Sequence, residues 1–192
     1  MRLASKAFVL GCGVAALLAA PAFADEPPNY EYLEGGYLNV DVDDLDGSGD
    51  NYFVDGSFGG KFWHLNAYYA NGNLGPDYDQ NLWRVGLGWH GALGYEADFI
   101  GELDWVKQSI DGPGSSDSET GYRLVGGVRW TPIKLFELDG FANYNDVGDE
   151  SDLSYEGRAI LNIWKLGFGA AYEKFNDSDQ WNGFVRFNFA RR

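Results

Sequence analysis

The sequence is short of the residues on which enzymes and disulfide-stapled secreted domains rely. Its one cysteine, Cys12, lies near the amino end, so no disulfide can form within the chain. There are two histidines, His64 and His90, and a single methionine. Bases are outnumbered by acids, 14 to 29, for a formal charge of −15. A chain this acidic disfavours nucleic acid as a partner. After residue 24 there is no run of about 18 apolar residues, which excludes a membrane-spanning helix. Aromatic side chains, 17% of the chain, and 27 glycines are what it has in abundance.

The amino end reads as an address. Met1 to Ala24 starts basic (Arg2, Lys6), runs apolar from Ala7 to Ala20 and closes on Ala22-Phe23-Ala24, the A-x-A site of a cleaved secretory signal peptide. A lipoprotein reading of Leu10-Gly11-Cys12 would leave only Ala7 to Leu10 as its apolar stretch. Cleavage after Ala24 divides the chain into a signal, 1–24, and one domain, 25–192. It removes Cys12 and two bases but no acid, so the mature part is more acidic still.

From residue 30 onward, segments of about ten residues alternate apolar with polar side chains, the period of a strand with two different faces. Trp83, Val85, Leu87 and Trp89 share one face, with Arg84, Gly86 and Gly88 on the other. Tyr95, Ala97, Phe99, Gly101, Leu103 and Trp105 oppose Glu96, Asp98, Ile100, Glu102 and Asp104. The same alternation sets Tyr122, Leu124, Val128 and Trp130 against Arg123 and Arg129, Phe136 and Leu138 against Glu137 and Asp139, Leu161 and Ile163 against Glu156 and Arg158, and Val185 and Phe187 against Arg186. With weaker runs over 30–42, 51–58 and 63–71, this predicts an all-β, antiparallel up-and-down transmembrane barrel of about ten strands.

Connections and aromatics follow the same plan. Polar, acidic stretches (43–50, 72–78, 109–120, 147–153, 176–179) alternate with short turns near Gly59-Gly60-Lys61, His90 to Gly94, Thr131 to Lys134 and Trp164-Lys165. In outer-membrane barrels the long set is extracellular and the short set periplasmic. Tyr52, Trp83, Trp105, Tyr122, Tyr144, Tyr155, Tyr172 and Trp181 sit beside the former, and Trp63, Trp89, Tyr95, Trp130, Phe136 and Phe189 beside the latter. Two such girdles fit two lipid–water interfaces, whereas a soluble barrel that buries its apolar face has no use for them.

If the apolar face meets lipid, the charges line the lumen. Arg84, Arg123, Arg129, Arg158 and Arg186 are expected to form a salt-bridge network with Glu34, Asp55, Glu96, Asp98, Glu102, Asp104, Glu137, Asp139, Glu156 and Glu173, acids being in excess. Inward glycines (Gly86, Gly88, Gly127, Gly167, Gly169) are expected to make room for arginines. Barrels near this strand number are filled by side chains, so a packed lumen is expected. The alternative is a narrow pore favouring cations.

Other sites are weaker. Asp44, Asp46, Ser48 and Asp50, with Asp55 in twelfth position, follow the oxygen spacing of a Ca²⁺ loop, though no helices flank it and a solvated acidic hairpin fits better. No other cofactor is expected. A membrane hydrolase would need histidine beside carboxylates at the outer rim, and both histidines fall at short-turn ends, so no catalysis is expected. The partners expected are outer-membrane lipid and lipopolysaccharide, the latter bridged by divalent ions to acidic loops, with periplasmic chaperones and barrel-insertion machinery on the way, for a monomer in the outer membrane of a Gram-negative bacterium.

Two stretches, Tyr30-Glu31-Tyr32-Leu33-Glu34-Gly35-Gly36-Tyr37 and Asp79-Gln80-Asn81-Leu82-Trp83-Arg84-Val85-Gly86-Leu87-Gly88, resemble small bacterial outer-membrane barrels that carry the name sulfation-dependent quorum factor. The resemblance implies an outer-membrane or vesicle-associated β-barrel and transfers no catalytic or binding residue. Tyr30 and Tyr32, in acidic surroundings, are open both to sulfation and to simply beginning the first strand.

Overall fold

Ten strands satisfy the alternation, and the first pairs with the last. The computed structural model describes residues 28–42, 48–75 and 77–189. Among these the strands are β1 (Tyr32–Val42), β2 (Ser48–Gly59), β3 (Trp63–Gly75), β4 (Tyr78–Ala92), β5 (Ala97–Gly112), β6 (Ser115–Ile133), β7 (Phe136–Val147), β8 (Glu150–Ile163), β9 (Leu166–Lys174) and β10 (Ser178–Asn188). Each pairs antiparallel with its neighbours in the chain. β1 closes on β10 from Tyr32 opposite Asn188 to Val42 opposite Ser178. Closure leaves no edge, which lipid would penalise because it cannot satisfy backbone N–H and C=O groups.

The wall is inside-out relative to a soluble barrel. Along β5, Phe99, Leu103 and Trp105 are exposed while Asp98, Ile100 and Asp104 are buried. Along β10, Trp181, Val185 and Phe187 are exposed while Arg186 is wholly buried. Both girdles stand on the outer surface, from Tyr52, Trp83 and Trp105 at one level to Trp63, Trp89 and Phe189 at the other. Pro132, which cannot donate to a ladder, falls where the β6–β7 register shifts between Trp130 and Ile133.

The acidic connections differ from expectation. Most of residues 109–120 is strand: β5 and β6 pair from Gly112 opposite Ser115 downward, around a turn at Pro113-Gly114. Likewise β7 and β8 meet at Gly148-Asp149, and β3 and β4 pair up to Gly75 opposite Tyr78. The acids therefore ride on hairpins that overrun the apolar band. Pairing beyond the band needs only backbone hydrogen bonds, so no apolar alternation marks it in the sequence.

The short-turn end is a closed ring. The carbonyls of Glu31, Phe62, Glu96, Leu135 and Lys165 each accept a hydrogen bond from a neighbouring strand, from Phe189, His90, Thr131, Asn162 and Asn188 at 2.7–3.1 Å. One turn carries strain: Trp164 has φ 58°, a left-handed conformation that suits glycine or asparagine and costs a bulky residue about 1–2 kcal/mol.

Candidate functional site: the lumen and its mouths

The inward faces bring together groups far apart in sequence. Arg158 Nη2 donates to both oxygens of Glu34, at 2.8 and 2.7 Å across 124 residues of chain. β1 and β8 are separated by β10 and β9, so the pair crosses the lumen. Arg186 Nε also donates to Glu34, and its Nη1 donates to Glu137 Oε1 at 2.7 Å. Arg129 lies 3.4 Å from Glu137 and 3.6 Å from Asp139. The Tyr32 ring backs the layer, 4.3 Å from the Arg186 guanidinium and 5.5 Å from that of Arg129. Arg186 is 0% exposed, Glu137 1% and Glu34 2%: the charged groups of this layer are almost wholly buried.

Toward the acidic hairpins the packing changes. Arg123 reaches Asp104 at 3.4 Å and Glu156 at 3.8 Å, and Arg158 Nε lies 3.9 Å from Glu156. Arg84 stacks on Tyr68 at 3.9 Å. A cavity of about 100 Å³ opens among Asp55, Arg84, Arg123, Glu156 and Glu173 and reaches Glu34, Arg129 and Arg158 of the ionic layer. Like charges are set opposite each other here, Glu34 beside Asp55 and Glu156 beside Glu173. An apolar cluster of Leu38, Val40, Phe53, Ala70, Ile160, Ala171 and Phe184 fills part of the remaining lumen.

The inner mouth is stoppered by the segment that precedes β1. Tyr30 turns into the barrel and stacks on His90, ring centroids 3.6 Å apart, and on His64 at 5.1 Å. Its hydroxyl donates to Asp98 at 3.2 Å, and its carbonyl accepts from Ser57 Oγ at 2.7 Å. Burial pushes the Tyr30 phenol above its usual range, so it remains a donor. Arg129 binds the Asn29 carbonyl at 3.2 Å, and Asn29 Nδ2 donates to Asn188 Oδ1 at 3.0 Å.

These contacts correct several expectations. The inward arginines and acids do share the lumen, but Asp98 faces Tyr30 and His90, the latter at 3.8 Å. Glu102 binds His64 Nε2 at 2.9 Å and Asn66 at 3.0 Å. Glu96 is buried at the inner rim. The glycines admit other groups than arginine. A side chain at Gly88 would meet the His64 ring, at Gly169 the Phe184 ring, at Gly127 that of Phe141 and at Gly86 the Asp104 carboxylate; Gly167 alone lies beside Arg186. Tyr30 and Tyr32 are lumen residues, 6% and 8% exposed. The histidines were legible by phase, since His64 and His90 fall on the inward register of Asn66 and Arg84.

Of the Ca²⁺ spacing, Asp44 and Asp46 lie outside the described residues. Ser48 and Asp50 begin β2, where Tyr37 and Asn39 donate to the Asp50 carboxylate. Asp55, further along β2, faces the lumen and accepts from the Tyr32 hydroxyl at 3.4 Å, on the opposite face from Asp50. Among the described residues there is no group of three or more His, Cys, Asp or Glu arranged to hold a metal.

No protein-family model matches the chain, and no curated protein matches it. Solved structures similar to it are outer-membrane barrels. KdgM porin in complex with disordered oligogalacturonate is 12% identical, with 81% of this chain and 99% of that one covered, at a TM-score of 0.47. The Yersinia pestis outer membrane protein Ail is 15% identical over 84% and 100%, at 0.46. Neisserial surface protein A is 14% identical over 82% and 95%, at 0.41. Likeness at this level extends to barrel architecture alone.

Proposed function

We propose that this is a non-catalytic barrel integral to the outer membrane of a Gram-negative bacterium, exported by a cleaved signal over residues 1–24. In this reading the lumen is a structural pillar and the acidic hairpins form the cell-surface face. The observation that carries it is the buried ionic layer at Glu34, Arg186 and Glu137, each 2% exposed or less, above a mouth stoppered by Tyr30. Buried ion pairs spanning a lumen hold the wall in shape and narrow any path for water. His64 and His90 stand beside carboxylates, as a hydrolase would want, yet Tyr30 covers both rings, leaving no room for substrate. The hairpins would meet lipopolysaccharide through divalent ions, with Ca²⁺ at the first hairpin one such bridge. The barrel acts as a monomer delivered by periplasmic chaperones and the insertion machinery. The quorum-factor resemblance enters only as an address.

A second reading, a narrow cation-favouring pore, draws on the cavity and its like-charged pairs, Glu34 beside Asp55 and Glu156 beside Glu173. Planar-bilayer recording of the purified mature chain decides between them. A structural barrel is expected to give no discrete current steps. Ohmic, cation-selective steps would replace it with the pore.

A further inference from the structure

The short turns are an unusual place for large apolar side chains, because periplasmic turns face water. Three of the four place such a residue next to a lysine: Lys61-Phe62, Lys134-Leu135 and Trp164-Lys165. The fourth carries Leu93 and Tyr95. All the apolar members are exposed, Phe62 at 60% and Trp164 at 73%, and the Lys61 ammonium lies 5.1 Å over the Phe62 ring. The band of exposed apolar residues, about 25 Å tall in barrels of this kind, therefore runs down to the turn tips without a polar interval.

The other end has the opposite chemistry. Tyr122, Tyr144 and Tyr172 in the outer girdle donate to carboxylates, Asp146 at 3.0 and 3.5 Å and Asp179 at 2.7 Å, and the hairpins beyond them are acidic. Of the five lysines after residue 24, Lys61, Lys134 and Lys165 are on the short turns. The five inward-facing arginines are spent within the lumen. Among the described residues, positive charge on the outer surface is thus concentrated where rings dip toward a leaflet, and a lysine beside an interfacial ring is placed to reach headgroup phosphate. The turns hold this arrangement rigidly, since their carbonyls at Phe62, Leu135 and Lys165 are latched to adjacent strands. Trp164 adopts a left-handed backbone where glycine would sit without strain, and its ring is exposed at the turn.

We infer that the short-turn rim is a binding collar for anionic phospholipid, with Lys61 and Lys165 pairing headgroup phosphates while Phe62, Leu135 and Trp164 enter the acyl boundary. The inference rests on the membrane-spanning reading above and adds a lipid class and a seating: the barrel ends flush with the periplasmic leaflet and projects only on the acidic side.

The test uses the mature chain in nanodiscs of equal phosphatidylcholine and phosphatidylglycerol, with native mass spectrometry of the lipids that stay bound. Phosphatidylglycerol should be retained preferentially, by up to about five-fold for each lysine. The preference should vanish in the double variant Lys61→Gln, Lys165→Gln and persist in the acidic-end control Lys107→Gln, Lys174→Gln. Equal retention of both lipids by the parent, or a preference that survives the double variant, overturns the collar. Heat-shifted electrophoretic mobility in pure phosphatidylcholine is the separate check on the spanning reading. A chain that folds there yet ignores headgroup charge defeats only the collar.

Discussion

The two ends of the barrel are built to different standards. At the short-turn end every described turn is hydrogen-bonded to a neighbouring strand. The lumen behind it is packed with Glu34, His64, Arg129, Glu137 and Arg186, all at most 2% exposed, and Tyr30 seals the mouth. At the acidic end the strands overrun the lipid-facing band. The tyrosines there meet aspartates in water, and a cavity that starts at Glu34 and Arg129 lies beside an apolar cluster. Burial of charged groups is concentrated toward the inner end, where the segment preceding β1 enters the lumen. An end that projects into solvent tolerates change, because it buries little.

The contrast predicts its own largest effect. Glu34→Ala would leave the guanidiniums of Arg158 and Arg186 buried, each short of one partner, Glu156 and Glu137 remaining. Removing one member of a buried ion pair costs about 3–5 kcal/mol, and urea unfolding of the refolded barrel should show a loss of that order. Glu34→Gln, which retains acceptor oxygen but not charge, should lose less. If Glu34→Ala unfolds at the parent's urea concentration, the inner layer is not what holds the wall.

The lipid face between the ends should respond next. Leu87 is opposite Leu65 and Leu103 and lies between Trp83 and Trp89 on the exposed side of β4. Leu87→Arg puts a charge near mid-depth, where barrels lose about 2–4 kcal/mol, while Leu87→Ala should lose far less. Folding equilibria in lipid vesicles measure both. Equal stability of the two variants would mean that this face does not contact acyl chains.

The same contrast explains which features the sequence discloses. Lipid asks of a side chain only that it be apolar, so alternation such as Trp83-Arg84-Val85 places every strand and its facing from local pattern alone. The lumen asks for specific partners across its width. Glu34 finds Arg158 and Arg186 at separations of 124 and 152 residues, and no periodicity encodes such a choice. Apolar residues in the inward phase, Leu38 and Phe53 among them, belong to a cluster visible only once β1, β2 and β10 are side by side. The stretch 109–120 looks like loop because its serine, glycine and acid content disfavours strands. It is strand because β5 and β6 continue to pair after the membrane has ended. The seal at Tyr30 depends on a segment turning back into the mouth, which composition does not record.

The smallest effect should come from the acidic rim, and its smallness is what makes it informative. Tyr122 donates to Asp146 at 3.0 Å, and Tyr144 approaches the same carboxylate oxygen at 3.5 Å, with both contacts open to water. Exposed hydrogen bonds exchange with solvent and contribute little net stability. Asp146→Asn and Tyr122→Phe should therefore leave the urea midpoint at the parental value within error, even though they remove contacts as short as some inside the lumen. A destabilisation comparable to that of Glu34→Ala would show that the outer girdle is fastened as firmly as the inner ring, and the difference between the two ends would then lie in shape alone.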